Sequence, residues 1–262
     1  MTGEFSSTWL ALREPADAAA RAEDLLGPLR RLPTPLTVRD LGCGTGSLGR
    51  WLAPRLPGPQ HWILHDRDPE LLAHAAAGMV TEAADGSPVT VRTTEGDVTA
   101  LTAADLAGTG LVACSALLDL LTAAEVESLA AACARSRTPA LFTLSVLGEV
   151  TFDPADELDG DIAGYFNAHQ RREVGGRRLL GPDAMDVAGR AFIRAGARVT
   201  VRDSPWRLGP ERGALAAEWL RGWVGAAAEQ HPELNLDPYL RMRLAGDAMI
   251  TVGHADLLAE FG

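Results

Sequence analysis

The sequence predicts an α/β fold, a parallel sheet wound with helices on both faces. Three observations carry that expectation. Short apolar strands alternate with segments of helical spacing, the first strand runs straight into a glycine-rich turn, and apolar residues make up 47% of the 262-residue chain. That length suits one large domain, or one domain with a lid, and the composition has no mark of bulk disorder.

The elements follow in order. Over 8–31, Leu10, Ala11, Ala18, Ala19, Ala22, Leu25, Leu26 and Leu29 fall at helical spacing. Pro15 interrupts the pattern, and Pro33 and Pro35 end it. A strand over 36–41 leads into the glycine turn, and Leu48, Trp51, Leu52 and Leu56 form the apolar stripe of the next helix. Pro54 lies inside that stripe, so this helix is expected to kink or end early. The second strand is 62–65. Asp68 then serves as N-cap, with Pro69 at the first helical position. Strands follow at 89–93 and 111–114, the latter wholly apolar, as burial on both faces requires. Thr122-Ala123-Ala124-Glu125 is a capping box, opening a helix that turns Val126, Leu129, Ala130 and Cys133 inward. The fifth strand is 140–146.

Residues 151–180 break this rhythm. An acidic run (Asp153, Asp156, Glu157, Asp159, Asp161) reads as a solvated loop. Behind it come Tyr165-Phe166-Asn167-Ala168-His169-Gln170 and the arginines 171, 172, 177 and 178, which the acidic run can neutralise. A helix over 182–195 ends at Gly196, a glycine placed for a C-cap. A strand at 197–202, helices at 211–229 and about 237–245, and a last strand at 248–252 complete the chain. With no repeat or low-complexity linker, 1–262 is expected to form a single domain. Its parts are a helical cover (1–35), a core (36–146) and a third part (147–262) carrying a lid, a helical insert and the final strands.

Charge narrows the function. The 24 basic residues are outnumbered by 35 acidic ones, for a net charge of -11, which argues against binding a nucleic-acid backbone. All the basic residues are Arg; without Lys there is neither Schiff-base chemistry nor the lysine of a phosphate-gripping Walker loop. Cys43, Cys114 and Cys133 have neither disulfide nor zinc spacing, so a reducing cytoplasm is the expected location. Met1-Thr2-Gly3-Glu4 lacks a signal-peptide pattern, and no apolar run approaches the roughly 18 residues of a membrane span.

The chemistry is written in Val38-Arg39-Asp40-Leu41-Gly42-Cys43-Gly44-Thr45-Gly46-Ser47-Leu48-Gly49. A strand ends in a carboxylate, glycines let the backbone approach a ligand, and a helix N-terminus offers free N–H groups. Gly44-x-Gly46-x-x-Gly49 alone would be a weak dinucleotide fingerprint. Asp40 would repel a pyrophosphate at this place and instead suits a bound ammonium group. A helical segment also precedes the first strand, where dinucleotide folds usually begin. Cys43 reads as a small filler in the turn, with no cue that activates its thiol.

This stretch resembles motif I of the class I S-adenosylmethionine-dependent methyltransferases, acidic-x-Gly-x-Gly-x-Gly. Asp66 ends the second strand twenty positions after Gly46, where that family places the carboxylate that holds the ribose hydroxyls. Gly96-Asp97-Val98 is similar to the element whose Asp accepts from the adenine amino group, although Gly-Asp is also ordinary turn chemistry. Cys114-Ser115-Ala116-Leu117 is similar to the segment lining the methyl donor. The resemblance spans about 8–146. It implies a Rossmann-like, seven-stranded, mostly parallel sheet whose last strand is antiparallel, with an extra helical insert as lid. It also implies S-adenosyl-L-methionine as cofactor and S-adenosyl-L-homocysteine as product. The implied cofactor residues are Asp40, Gly42, Cys43, Gly44, Gly46, Asp66, Arg67, Asp97, Val98 and Ser115. From the leading helix, Arg13 or Arg21 would meet the methionine carboxylate; both are equally at home on a helix surface.

For the acceptor, the segment after the fifth strand lies on the carboxyl edge where ligands bind in open sheets. Tyr165, Asn167, Gln170, Arg171 and Trp206 are the candidate contacts and His169 the candidate base, with an imidazole suited to proton transfer near neutrality. The competing reading is a lid helix with packed aromatics and a solvated His169. The expected reaction is methyl transfer to a small molecule, oxygen or carboxylate before nitrogen or carbon, and the arginines admit an anionic acceptor. No Asn-Pro-Pro-Tyr-type element of the base-modifying enzymes occurs, since the chain reads Ser115-Ala116-Leu117-Leu118 there. An NAD-dependent oxidoreductase on the same fold and a non-catalytic member of the fold are the alternatives.

Overall fold

A computed structural model describes residues 6–262; the tetrapeptide Met1-Thr2-Gly3-Glu4 lies outside the described residues. The chain opens with α1 (Ser7–Ala20), capped by the Ser6 hydroxyl, and a short α2 (Leu26–Leu29). Pro15 sits within α1 rather than ending it. The break comes at Arg21, whose ψ of 136° turns the chain out of the helix, and the next amide, Ala22 N–H, donates to the Asp256 carboxylate at 2.8 Å. A tertiary acceptor, 234 residues away, therefore sets the end that proline was expected to set.

Next come β1 (Leu36–Leu41), α3 (Ser47–Leu52), β2 (Gln60–Asp66), α4 (Pro69–Gly78), β3 (Val89–Glu95), β4 (Leu111–Ser115) and α5 (Ala123–Ser136). α3 gives way to a single 3-10 turn at Pro54. Asp68 caps α4 by accepting from the Glu70 and Leu71 amides, and both halves of the Thr122/Glu125 capping box form. The remainder is β5 (Ala140–Asp153), α6 (Asp159–Gln170), the hairpin strands β6 (Glu173–Val174) and β7 (Arg177–Arg178), α7 (Ala184–Arg194), β8 (Arg198–Asp203), β9 (Trp206–Leu208), α8 (Gly213–Gln230), α9 (Asp237–Ala245) and β10 (Met249–Glu260). Gly196, φ +91°, follows α7 as expected of a C-cap glycine.

The main sheet runs β3-β2-β1-β4-β5-β10-β8, parallel from β3 to β5 and antiparallel where β10 is inserted between β5 and β8. This is the seven-stranded, mostly parallel order with its last strand antiparallel. Both faces of the parallel part are covered. Val112, Cys114 and Phe142 pack with α5 and α7 on one side, while Leu111, Ala113 and Leu141 pack with α2, α3 and α4 on the other.

Two strands depart from expectation. β5 runs seven residues past the expected 146, and β10 eight past the expected 252. The two pair along their length through two register shifts, and β9 joins β10 at Ile250–Val252. The stretch of β5 beyond 146, paired with the start of β10, carries a third core, in which Phe152, Trp206, Leu208, Ile250 and Val252 meet Ile162 of α6, Trp223 of α8 and Tyr239 of α9. Nor is the acidic run 153–161 merely a solvated loop. Asp159 opens α6, accepts from the Tyr239 hydroxyl at 2.6 Å and pairs with the buried Arg243 guanidinium. Arg243 also donates to the Pro154 carbonyl at 2.9 Å.

Asp256 ties the parts together. Its buried carboxylate accepts from Leu144 N–H (2.8 Å) and Ser204 O–H (2.6 Å) besides Ala22 N–H. Leu144 is held at φ +57°, where β5 is displaced from regular pairing. One carboxylate thus anchors the end of α1, the irregular point of β5 and the β8–β9 connection.

Candidate functional site

β1 delivers Asp40 to the carboxyl edge of the sheet, and the turn that follows is built on Gly42 (φ +62°), Gly44 (φ +53°) and Gly46 (φ +85°). Gly42 and Cys43 donate their N–H groups to the His65 carbonyl at 2.8 and 3.1 Å, which fixes the turn to the end of β2. Gly46 caps α3 in the left-handed region, and a Cβ there would lie 3.1 Å from the Ala75 Cβ and 3.2 Å from its Cα. Backbone freedom and helix contact both demand glycine at that position.

Above the turn opens a cleft of about 1160 Å³. Asp40, Gly42, Cys43, Gly44, Asp66, Arg67, Asp97, Val98, Ser115 and Arg13 all border it. Gly46 does not, and acts by shaping the turn. Asp40 is fully buried, and among the described residues neither carboxylate oxygen has a hydrogen-bond partner. Burial raises its carboxyl from 3.8 to about 7, Arg21 pulls against that rise, and Asp66 adds to it. Asp66 accepts from Gly44 N–H at 2.9 Å and from Asp68 N–H at 3.1 Å. Asp97 accepts from the amide and hydroxyl of Thr99, both at 2.8 Å, and these bonds hold its carboxyl below the usual range. Burial pushes the Cys43 thiol far up, so it is a filler in the turn and no nucleophile.

Two arginines of the leading helix have separate roles. Arg13 is spent on Asp17, with Nε 3.0 Å from Oδ2, and lies over the Trp206 ring. Arg21 enters the cleft buried. Its Nη2 donates to Ser47 Oγ (3.0 Å) and Ser115 Oγ (3.3 Å), while Nε and Nη1 have no partner among the described residues. Burial lowers its guanidinium, and Asp17, Asp256 and Asp40 oppose that. A buried cation with unused donors thus stands near a buried carboxylate with unused acceptors.

The expected acceptor cluster is elsewhere. Tyr165, Asn167, His169, Gln170, Arg171 and Trp206 do not border the cleft. Tyr165 lies against His231 (ring centroids 4.0 Å apart), and Asn167 donates to the Gly148 carbonyl at 2.8 Å. His169 Nδ1 lies 3.7 Å from the Glu229 carboxylate of α8, with burial lowering its imidazole. The Gln170 Cβ is 2.8 Å from where a Cβ on Gly181 would stand, and Arg171 is clasped by Asp183 (2.7 and 2.8 Å). α6 packs on α8, which holds Tyr165 and His169, while Asn167 is held by β5 and Arg171 by Asp183. Trp206 is buried with its indole N–H on Asp17 (3.0 Å), and so reaches the cleft only through Asp17 and Arg13. The arginines expected to meet the acidic run pair instead with Asp183 and with Glu125.

Asp17, Glu125, Val174 and Arg177 also border the cleft; sequence reasoning passed over Asp17 and Val174 and read Arg177 only as one of four arginines open to the acidic run or an anionic acceptor. Asp17 had one local signal, its i, i+4 spacing from Arg13. Glu125 was legible only as a capping residue. Among the described residues no cluster of His, Cys, Asp or Glu could hold a metal ion, and no helix is long and apolar enough to cross a membrane.

Comparison with known proteins agrees with this geometry. Residues 38–140 match the model of a methyltransferase domain. The fold is similar to a cyclopropane synthase from Mycobacterium tuberculosis (14% identity, 98% of this chain and 95% of that one covered, TM-score 0.51). It is similar also to a mycolic acid cyclopropane synthase complexed with S-adenosylhomocysteine (13% identity, 96% and 94% covered, TM-score 0.52). No curated protein matches the sequence. Residues 38–140 thus match a methyltransferase domain, and the sheet and helices around them share the fold of these two synthases.

Proposed function

We propose that the chain transfers a methyl group from S-adenosylmethionine to a small-molecule acceptor, at oxygen or carboxylate. The observation that carries the reading is the unpartnered, buried pair of Asp40 oxygens beneath the glycine turn. A lone buried carboxylate is costly, and an α-ammonium group seated there removes the cost. The two free nitrogens of Arg21 suit an α-carboxylate in the same way. One amino-acid moiety would satisfy both. Asp66 at the end of β2 has the position for ribose hydroxyls, and Asp97 and Val98 the position for the base. A pyrophosphate placed over Asp40 would be repelled, which weighs against the nicotinamide alternative.

The cofactor supplies a methyl group on a sulfonium, already an excellent leaving group. The protein's work is therefore alignment. A carboxylate acceptor needs no base. With His169 on the α8 side of the insert, a hydroxyl acceptor would have to yield its proton elsewhere. Leu117, Leu120 and Leu121 give the cleft an apolar stretch of wall, which suits an acceptor with apolar surface.

The test is calorimetric titration with S-adenosylhomocysteine of the wild type and of Asp66→Ala, with NADH as control. Micromolar binding that Asp66→Ala weakens strongly, with no NADH heat, is the expected result. Heat with NADH and none with S-adenosylhomocysteine would move the chain to hydride transfer.

A further inference from the structure

Resting on that cofactor reading, we infer that the hairpin Glu173–Arg178 is the roof of the cleft's nucleoside end, with Val174 laid over the purine and Arg177, clasped by Glu125, holding the roof in place. The hairpin joins β6 and β7 through Gly175 and Gly176, at φ +57° and +77°. Left-handed backbone at both central positions makes a tight turn that only glycine enters freely. Two residues per strand are far too few to stand alone in water, so the position of the hairpin comes from its tethers. Arg177 forks onto Glu125, with Nε to Oε1 at 2.9 Å and Nη2 to Oε2 at 2.7 Å, and Nη2 also reaches the Leu120 carbonyl at 3.2 Å. Just beyond, Leu180 N–H donates to the Leu121 carbonyl at 2.9 Å.

Every one of these tethers ends on the segment after β4, which borders the cleft on the side of Asp97, Val98 and Thr99. Val174 borders the cleft too. It is apolar and 46% exposed, and it belongs to none of the three cores. An exposed β-branched side chain at the rim of a cleft matches the flat face of a base. The paired charges of Arg177 and Glu125 would be worth little on an open surface. Their two-pronged geometry matters because it fixes the orientation of the strand that carries Val174.

The experiment is calorimetry of the full chain with two probes. S-adenosylhomocysteine carries base, ribose and amino acid, whereas 5′-deoxy-5′-methylthioadenosine lacks the amino acid. Val174→Ser and Arg177→Gln should each weaken both probes by the same factor, about tenfold, equivalent to ~1.4 kcal/mol. Glu125→Gln keeps the capping box, because Gln serves at N3, and should reproduce the loss. The double variant Glu125→Gln/Arg177→Gln should be no weaker than either single one, as expected of one shared interaction. Unchanged binding of both probes in all variants overturns the roof. So does a loss confined to S-adenosylhomocysteine, which would put the hairpin at the amino-acid end. Should Arg177→Gln fail to fold, the exposed Val174→Ser still decides. A wild type that binds neither probe would refute the cofactor reading itself, and the roof with it.

Discussion

Asp40 has the largest consequences of any single residue. Its carboxyl is raised from 3.8 to about 7 in the free protein, chiefly by burial. A group whose folded value lies above its unfolded one stabilises the fold while protonated, and that contribution is lost as pH rises toward 7. Thermal melts of the free protein should therefore show stability falling between about pH 4 and pH 7 through this group. Asp40→Asn should flatten that fall and raise the melting temperature at neutral pH. The same substitution should weaken S-adenosylhomocysteine binding strongly, since an amide oxygen can accept from ammonium but brings no opposite charge. In the wild type, affinity should climb as pH rises to about 7 and level off above it, read by calorimetry across that range. A melting temperature lowered by Asp40→Asn would contradict this account. Burial raises the Asp256 carboxyl as well, but there three donors, Ser204, Ala22 and Leu144, oppose the rise. Asp256→Asn loses acceptor capacity and should cost roughly 2–3 kcal/mol in a urea melt, by the usual worth of hydrogen bonds to a charged group.

At the scale of elements, the glycine turn is the sharpest case. Gly46→Ala combines a left-handed backbone with a Cβ 3.2 Å from the Ala75 Cα. A cost of about 1–3 kcal/mol follows from the strain alone, together with weakened S-adenosylhomocysteine binding as α3 shifts from the cleft. Equal affinity for Gly46→Ala and wild type would show that the turn tolerates displacement. Local chemistry made much of this legible in advance: the turn, the Asp68 cap, the Thr122/Glu125 capping box and the stop at Pro54 each depend on residues a few positions apart. α6 was not legible in the same way. Its cluster of Tyr165, Asn167 and His169 looks like a site because polar and aromatic residues are concentrated there. Contacts with α8 and β5 decide where these side chains go, and the contact with α8 joins residues some 60 apart in the chain, such as His169 and Glu229.

Across the whole molecule, the paired ends of β5 and β10 and the helices packed on them form a lobe held together by buried polar links. Asp159 of α6 and Arg243 of α9 are the chief of these, with Arg243 also lying 4.2 Å over the Phe152 ring. Arg243→Met takes the guanidinium from a half-buried carboxylate that keeps its bonds from Tyr239 and Asp156, and should destabilise by about 1.5–3 kcal/mol in denaturant melts. Asp159→Asn/Arg243→Met should be milder than Arg243→Met, because it removes both charges. A double variant worse than the single one would mean that the pair does not act as a unit. Ligand binding adds stability by mass action, so S-adenosylhomocysteine at 100 times its Kd should stabilise the fold by about 2.7 kcal/mol.

The sequence by itself determined the parallel core, the turn that ends β1 and the three carboxylates Asp40, Asp66 and Asp97 that border one cleft. The core and the turn follow from periodicity and glycine placement, both short-range in the chain, whereas Asp66 and Asp97 were singled out by their resemblance to the methyltransferase motifs. Only the tertiary structure decided that Arg21 enters the cleft, that β5 and β10 run on past their expected ends, and that Arg177 pairs with Glu125 rather than with an acidic loop. Each of those outcomes turns on pairings across tens to hundreds of residues, such as Ala22 with Asp256 and Arg177 with Glu125. Charges and hydrogen bonds of that kind leave no period in a sequence.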